Sequence, residues 1–152
     1  MQEQLINILM YIIYMPIVVI IHELGHAFFV VLFGKEVREI HLGFGEDLFR
    51  IKRFVVKKSV WSIGYCSWEN LDSLTWYKKI LIFLGGIIFN LVTATLVWIY
   101  GDANYADWYR AFIVFSYFLA VVNLLPFKSN FTKIESDGLQ CIKLLNSLKQ
   151  GK

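Results

Sequence analysis

Between Leu5 and Phe33 the sequence carries one formally charged side chain, Glu23, in an otherwise apolar run. About 20 apolar residues suffice for a helix to cross the hydrocarbon of a bilayer, so this run is long enough to span it. Pro16 lies inside the run and removes one backbone donor, which predicts a kink ahead of the polar cluster that follows. Composition supports a membrane setting: 57% of the residues are hydrophobic and 18% charged, and the mean hydropathy is +0.55, too apolar for an ordinary soluble domain. The 152 residues are read as one membrane-embedded domain.

Two further apolar runs follow. The first helix is expected over about 5–33, with Gly34 as a C-cap. A second is expected over 80–100, after Lys78 and Lys79 and closed by the interfacial aromatics Trp98 and Tyr100. A third is expected over 108–127, ended by Pro126. Between the first two, over 37–68, apolar residues alternate at Ile40, Leu42 and Phe44 and again at Trp61, Ile63 and Tyr65. A period of two predicts short antiparallel strands, with turns at Gly43–Asp47 and at Lys57–Ser59. The tail over 136–149 spaces Leu139, Ile142, Leu145 and Leu148 as a short amphipathic helix. The fold class is therefore a mostly α membrane protein: three transmembrane helices, a small antiparallel β region between helices 1 and 2, and a C-terminal amphipathic helix.

Charge sets the expected orientation. Lys35, Arg38, Arg50, Lys52, Arg53, Lys57, Lys58, Lys78 and Lys79 all fall between the first two apolar runs, whereas the turn after the second holds Asp102 and Asp107. Under the positive-inside tendency the β region and tail are cytoplasmic and the N-terminus is outside. The net charge of +3 does not form a basic face with interleaved aromatics, so nucleic acid is not an expected partner. Cys66 and Cys141 form no metal-binding or disulfide pattern. The N-terminus lacks the positive region and cleavage site of a secretory signal, so the first helix is expected to be retained. A bacterial plasma membrane fits this pattern.

The residues that carry chemistry are His22-Glu23-Leu24-Gly25-His26. On a helix, side chains four apart share a face, about 6 Å apart along the axis, so both imidazoles can reach one metal ion while Glu23 serves as a general base beside it. The plainer alternative is a polar cluster that links helices. Location favours the metal, because an ionisable group in a span costs about 2.5 to 3.5 kcal/mol or more. A catalytic zinc commonly takes three protein ligands and keeps a position open. Asp137, Glu135 and His41 are the candidates for the third ligand, although Ser136-Asp137-Gly138 taken alone reads as a turn and helix cap.

HELGH in a long apolar helix, Gly85-Gly86-x-x-x-Asn90, and Asn123-x-x-Pro126 ahead of Asp137-Gly138 resemble the site-2 protease family of intramembrane zinc metalloproteases. The resemblance implies zinc as cofactor, His22, His26 and Asp137 as its ligands, and Glu23 as the catalytic glutamate. It also implies that Asn123 holds substrate near the metal, and Asn90 is carried as a second substrate-binding candidate. Ile87 and Ser136 stand where the family often carries proline and leucine, and no PDZ-like module is present. The activity implied is cleavage of a transmembrane or membrane-associated peptide, reached from the cytoplasm. The alternative is a non-catalytic binding or immunity-type membrane protein that keeps the metalloprotease fold.

Overall fold

The computed structural model describes residues 2–130 and 133–150. Its elements run α1 (Gln2–Leu32), β1 (Val37–Ile51), β2 (Phe54–Trp68), α2 (Trp76–Tyr100), a 3-10 turn (Ala103–Tyr105), α3 (Ala106–Leu124) and α4 (Asp137–Gln150).

The chain forms α1 and α2 because nothing in either run breaks a helix strongly enough to stop it. Pro16 is accommodated inside α1, which continues through it, at the cost of the hydrogen bond that its missing N–H would give to the Ile12 carbonyl. Ile8–Leu32 and Trp76–Tyr100 are each 25 residues long and apolar enough to cross a membrane. At about 1.5 Å per residue either exceeds the roughly 30 Å of a hydrocarbon core. Helix α3 is 19 residues long, has Asp107 in its first turn and carries Arg110 soon after. Among the described helices, then, two rather than the expected three have the length and composition of a span. Helix α3 stops at Leu124, with Leu125 extended, because the residue before Pro126 is pushed out of the helical region.

Each long helix has one buried face and one exposed apolar face. In α2 the buried positions Ile82, Gly86, Asn90 and Ala94 recur at helical spacing, while Leu91, Val92, Leu96 and Ile99 lie on the surface. Exposed Val114, Phe118 and Val121 do the same on α3, as Val31 and Leu32 do on α1. A soluble monomer rarely shows so much contiguous apolar surface; lipid tails are its natural solvent.

Helices α1 and α2 touch backbone to backbone. A Cβ on Gly25 would strike the Gly85 carbonyl, and a Cβ on Gly85 would strike that of Gly25. Small residues permit such contact, and it is how helices associate when lipid removes the hydrophobic drive. Below this crossing, Ala27, Val30, Val37, Ile40, Cys66, Leu71 and Ile82 form a buried apolar cluster where α1, both strands and α2 meet.

The β region is a small antiparallel sheet, as expected, built from two long strands that bend so that parts of each pair in more than one place. From Val37↔Trp68 to Leu42↔Gly64 the strands pair antiparallel, and a second antiparallel arm runs from Asp47↔Lys57 to Ile51↔Phe54. The register slips between Phe44 and Asp47, where Gly43 and Gly45 take positive φ, so the expected turn is a bend within β1 that brings residues 54–56 back beside residues 40–42. The strands reverse at Lys52–Arg53, with Lys52 at φ 53°. Lys57–Ser59, the other expected turn, lies inside β2, because Lys57 Nζ bonds Asp47 Oδ1 across the arm at 2.8 Å and Lys58 pairs with Glu46. Cross-strand charge pairs hold those lysines in the sheet.

Candidate metal centre

Four side chains that seldom tolerate burial are nearly sealed from solvent: His22 at 4%, Glu23 at 6%, His26 at 4% and Asp137 at 5% exposure. Helix α1 supplies three of them from neighbouring turns. Asp137 arrives from the first residue of α4, placed there by Ser136. The Ser136 hydroxyl donates to the Leu125 carbonyl at 2.7 Å and accepts from the N–H groups of Phe127 and Leu139. The first turn of α4 is thereby tied to the end of α3, and the residue that departs from the family pattern is the tie itself.

The three ligand candidates converge. His22 Nε2 lies 3.1 Å from Asp137 Oδ2, and His26 Nε2 lies 3.4 Å from Asp137 Oδ1. Bonds of about 2.0–2.2 Å at tetrahedral angles set donor atoms about 3.3–3.5 Å apart, so these separations suit a single small cation. Hydrogen bonding explains the cluster less well. His26 Nδ1 sits 2.8 Å from the Ile82 carbonyl, which can only accept, so Nδ1 carries the proton and the neutral ring turns its Nε2 lone pair toward a carboxylate. Two acceptors face each other unless a proton or a cation lies between them. Asp137 Oδ2 is buried without a hydrogen-bond partner despite its closeness to His22. An orphaned carboxylate oxygen between two imidazoles fits a divalent metal, and the nitrogen and oxygen donors are those zinc takes.

His22 is held from behind in the same manner. The Gly86 carbonyl faces its ring, and Asn90 Nδ2 lies 3.2 Å from Nδ1. A Cβ on Gly86 would lie 2.5 Å from that ring, so only glycine lets the imidazole rest on α2. Asn90 was expected to touch substrate; it is fully buried behind His22 and lines neither cavity described below. Asn123, by contrast, lines both, with its Nδ2 donating to the Leu119 carbonyl at 3.1 Å.

Glu135 and His41, the competing ligands, are engaged elsewhere. Glu135 accepts from Lys143 at 2.6 Å and pairs with Lys128 at 3.2 Å. His41 lies in β1 against Glu39, 3.0 Å away. The His22, His26 and Asp137 trio is the one group among the described residues with metal-binding spacing.

Glu23 sits at the junction of two cavities. A polar cleft of about 730 Å³ is lined by His22, Glu23, His26, Asp137 and the strand stretch Gly64–Trp68. An apolar lobe of about 170 Å³ shares His22 and Glu23 with it. The Cys66 backbone N–H donates to Glu23. Strand β2 reaches so close because residue 64 is glycine: a Cβ there would sit 2.6 Å from Glu23 Cγ. Sequence reasoning missed Gly64 and Ser136. For the glycine a signal existed, since glycine inside a strand pattern often marks a close backbone approach. Burial and the nearby Glu23 push the Cys66 thiol up to about 12.

The two apolar helices, the paired imidazoles on one of them and the carboxylate brought to them by α4 define a membrane protein with an internal metal-type centre. The profile of Peptidase family M50 matches residues 10–108, and the chain belongs to that family, the site-2 proteases. It is 28% identical over 138 residues to "Uncharacterized membrane protein YwmF" of Bacillus subtilis (strain 168), covering 89% of this chain and 86% of that one. It is also 28% identical over 106 residues to a "Putative zinc metalloprotease" of Borreliella burgdorferi, covering 55% of this chain and 24% of the other. The chain therefore aligns with about a quarter of that second relative.

Proposed function

We propose that this protein is a zinc-dependent intramembrane endopeptidase that cleaves a transmembrane or membrane-associated peptide from the cytoplasmic side. The observation that carries the reading is the convergence of His22, His26 and Asp137 on one point with Glu23 beside it, where a polar cleft meets an apolar one.

His22 Nε2, His26 Nε2 and the Asp137 carboxylate would hold the ion. Zinc bound there supplies Lewis acidity at a scissile carbonyl and an attacking water activated near neutral pH. Glu23 takes the proton from that water and delivers it to the leaving amine nitrogen. The Gly64–Trp68 arm of β2, along the cleft, is the strand on which an extended substrate segment is laid, and Asn123 steadies its backbone near the reacting bond. Helix α3 is read as a third crossing, and the lysine and arginine distribution supports an N-terminus outside with the β region and α4 in the cytoplasm.

The test is a zinc-loaded, nanodisc-embedded sample incubated with a panel of fluorogenic transmembrane peptides. The parent should cleave at least one. Glu23→Gln should keep one zinc per chain and lose at least about 100-fold in rate. Equal cleavage by both proteins would remove the general-base assignment.

A further inference from the structure

The apolar lobe adjoins the cleft at Glu23 and differs from it in chemistry. Val18 and Val19 of α1, Phe115 and Leu119 of α3 and Phe127 of the following loop make up much of its wall. His22 and Glu23 form part of its polar end. Its outer rim is Phe118, itself exposed on the surface of α3. The volume is about 170 Å³, and an apolar cavity of about 150 Å³ lined by aliphatic and aromatic side chains is known to take up benzene. Asn123, Ser129, Glu135 and Ser136 join His22 and Glu23 on the lobe's polar side, so the apolar part, beside the general base, suits a side chain better than a peptide group, whose unsatisfied buried amide costs several kcal/mol.

We propose that this lobe is a specificity subsite that receives one large apolar side chain, of leucine or phenylalanine size, from the residue flanking the scissile bond. The proposal rests on the peptidase reading above. The geometry divides the labour: water and the peptide backbone occupy the polar cleft, while the flanking side chain enters from the apolar side between α1 and α3. Aspartate at that substrate position would have to be desolvated against Phe115 and Val18 in a lobe that already holds the carboxyl groups of Glu23 and Glu135, so selection is by size and by exclusion of negative charge.

Hydroxamates, which chelate zinc through two oxygens, test this without a known substrate. Zinc-loaded protein in nanodiscs is titrated with hydroxamates bearing methyl, isobutyl, benzyl or naphthylmethyl groups next to the chelating end. Zinc-free protein gives the baseline, so that partition into lipid is subtracted. The expected result is a gain of at least about tenfold from methyl to benzyl, with naphthylmethyl falling back because it overfills the lobe. Leu119→Ala should shift the optimum to naphthylmethyl, and Leu119→Trp should abolish the benzyl preference, both at unchanged zinc stoichiometry. Affinities independent of side-chain size, or an order unchanged in Leu119→Ala, would overturn the subsite and leave the metal centre standing. Zinc-loaded protein that binds no hydroxamate at all would overturn the open coordination position, and the peptidase reading with it.

Discussion

Asn90 stands directly behind His22, its amide nitrogen 3.2 Å from Nδ1 and its amide oxygen buried without a partner. Exchanging the two ends of the amide lets Oδ1 accept from Nδ1–H, and Nε2 is left with a free lone pair aimed at Asp137. His26 obtains the same tautomer from the Ile82 carbonyl. Each ring is thus oriented from α2, one by backbone and one chiefly by a side chain.

Asn90→Leu, similar in size but unable to accept, should weaken zinc binding about 10- to 100-fold. Asn90→Asp, a stronger acceptor for Nδ1–H, should retain or tighten it. Competition against a chromophoric chelator measures both. Equal affinity in the leucine variant and the parent would show that the amide does not orient His22.

Ser136→Ala removes the hydroxyl that bridges Leu125, Phe127 and Leu139. It leaves part-buried backbone groups short of a partner, at about 1 kcal/mol. The thermal midpoint should fall, and zinc affinity should fall with it because Asp137 is the next residue. A variant that loses stability while binding zinc as the parent does would separate the tie from the metal site.

Cys66 should be almost inert to thiol reagents at pH 8. With the thiol raised to about 12 against an ordinary 8.5 or so, its thiolate fraction is about a thousandfold or more below that of a free cysteine. Cys141, raised to about 11 by burial and the nearby Asp137, should also react slowly. Maleimide labelling read by mass spectrometry, before and after denaturation, gives the ratio; rapid labelling of folded protein at Cys66 would contradict the burial described.

The outer hairpin arm should survive mild acid. A hydrogen bond from Arg50 holds Glu39 below the usual carboxylate range, and one from Lys57 does the same for Asp47. Carboxylates depressed on folding contribute stability that is complete above their unfolded values near pH 4, and that is lost as pH falls through the lower folded values. Hydrogen exchange over residues 47–57 should therefore be unchanged from pH 7 to pH 5, after correction for intrinsic rates, and should accelerate only below about pH 4. Loosening between pH 6 and 5 would point to some other titrating group.

Much of this was legible in advance because the spacing rules are strong. HELGH gives helix phase and chemistry together, so His22, Glu23 and His26 meet in the structure as their spacing implies. Pro126 marks the end of α3 sharply, whereas α2 begins at Trp76, ahead of the expected start, with Lys78 and Lys79 inside its first turns. The strand region was harder to read. Gly43 and Gly45 carry the same local signature whether they turn a chain or bulge a strand, and Lys57 and Lys58 resemble a turn until Asp47 and Glu46 are seen across from them. Asp137 was reached through family likeness, since Ser-Asp-Gly alone reads as a helix cap. The place of Asn90 behind an imidazole depends on how α1 and α2 cross, which no local pattern encodes.

That crossing also decides which wall of the protein can yield. At Gly25 and Gly85 main chain abuts main chain, and no side chain is there to swing aside, so the seam between the first two helices behaves as a weld. The opposite seam is closed by ring edges, Tyr11 on Phe115 at 5.3 Å and Tyr14 on Phe112 at 5.9 Å, which can rotate out of the way like shutters. A guest arriving sideways from the lipid would meet less resistance beside the third helix than between the first two.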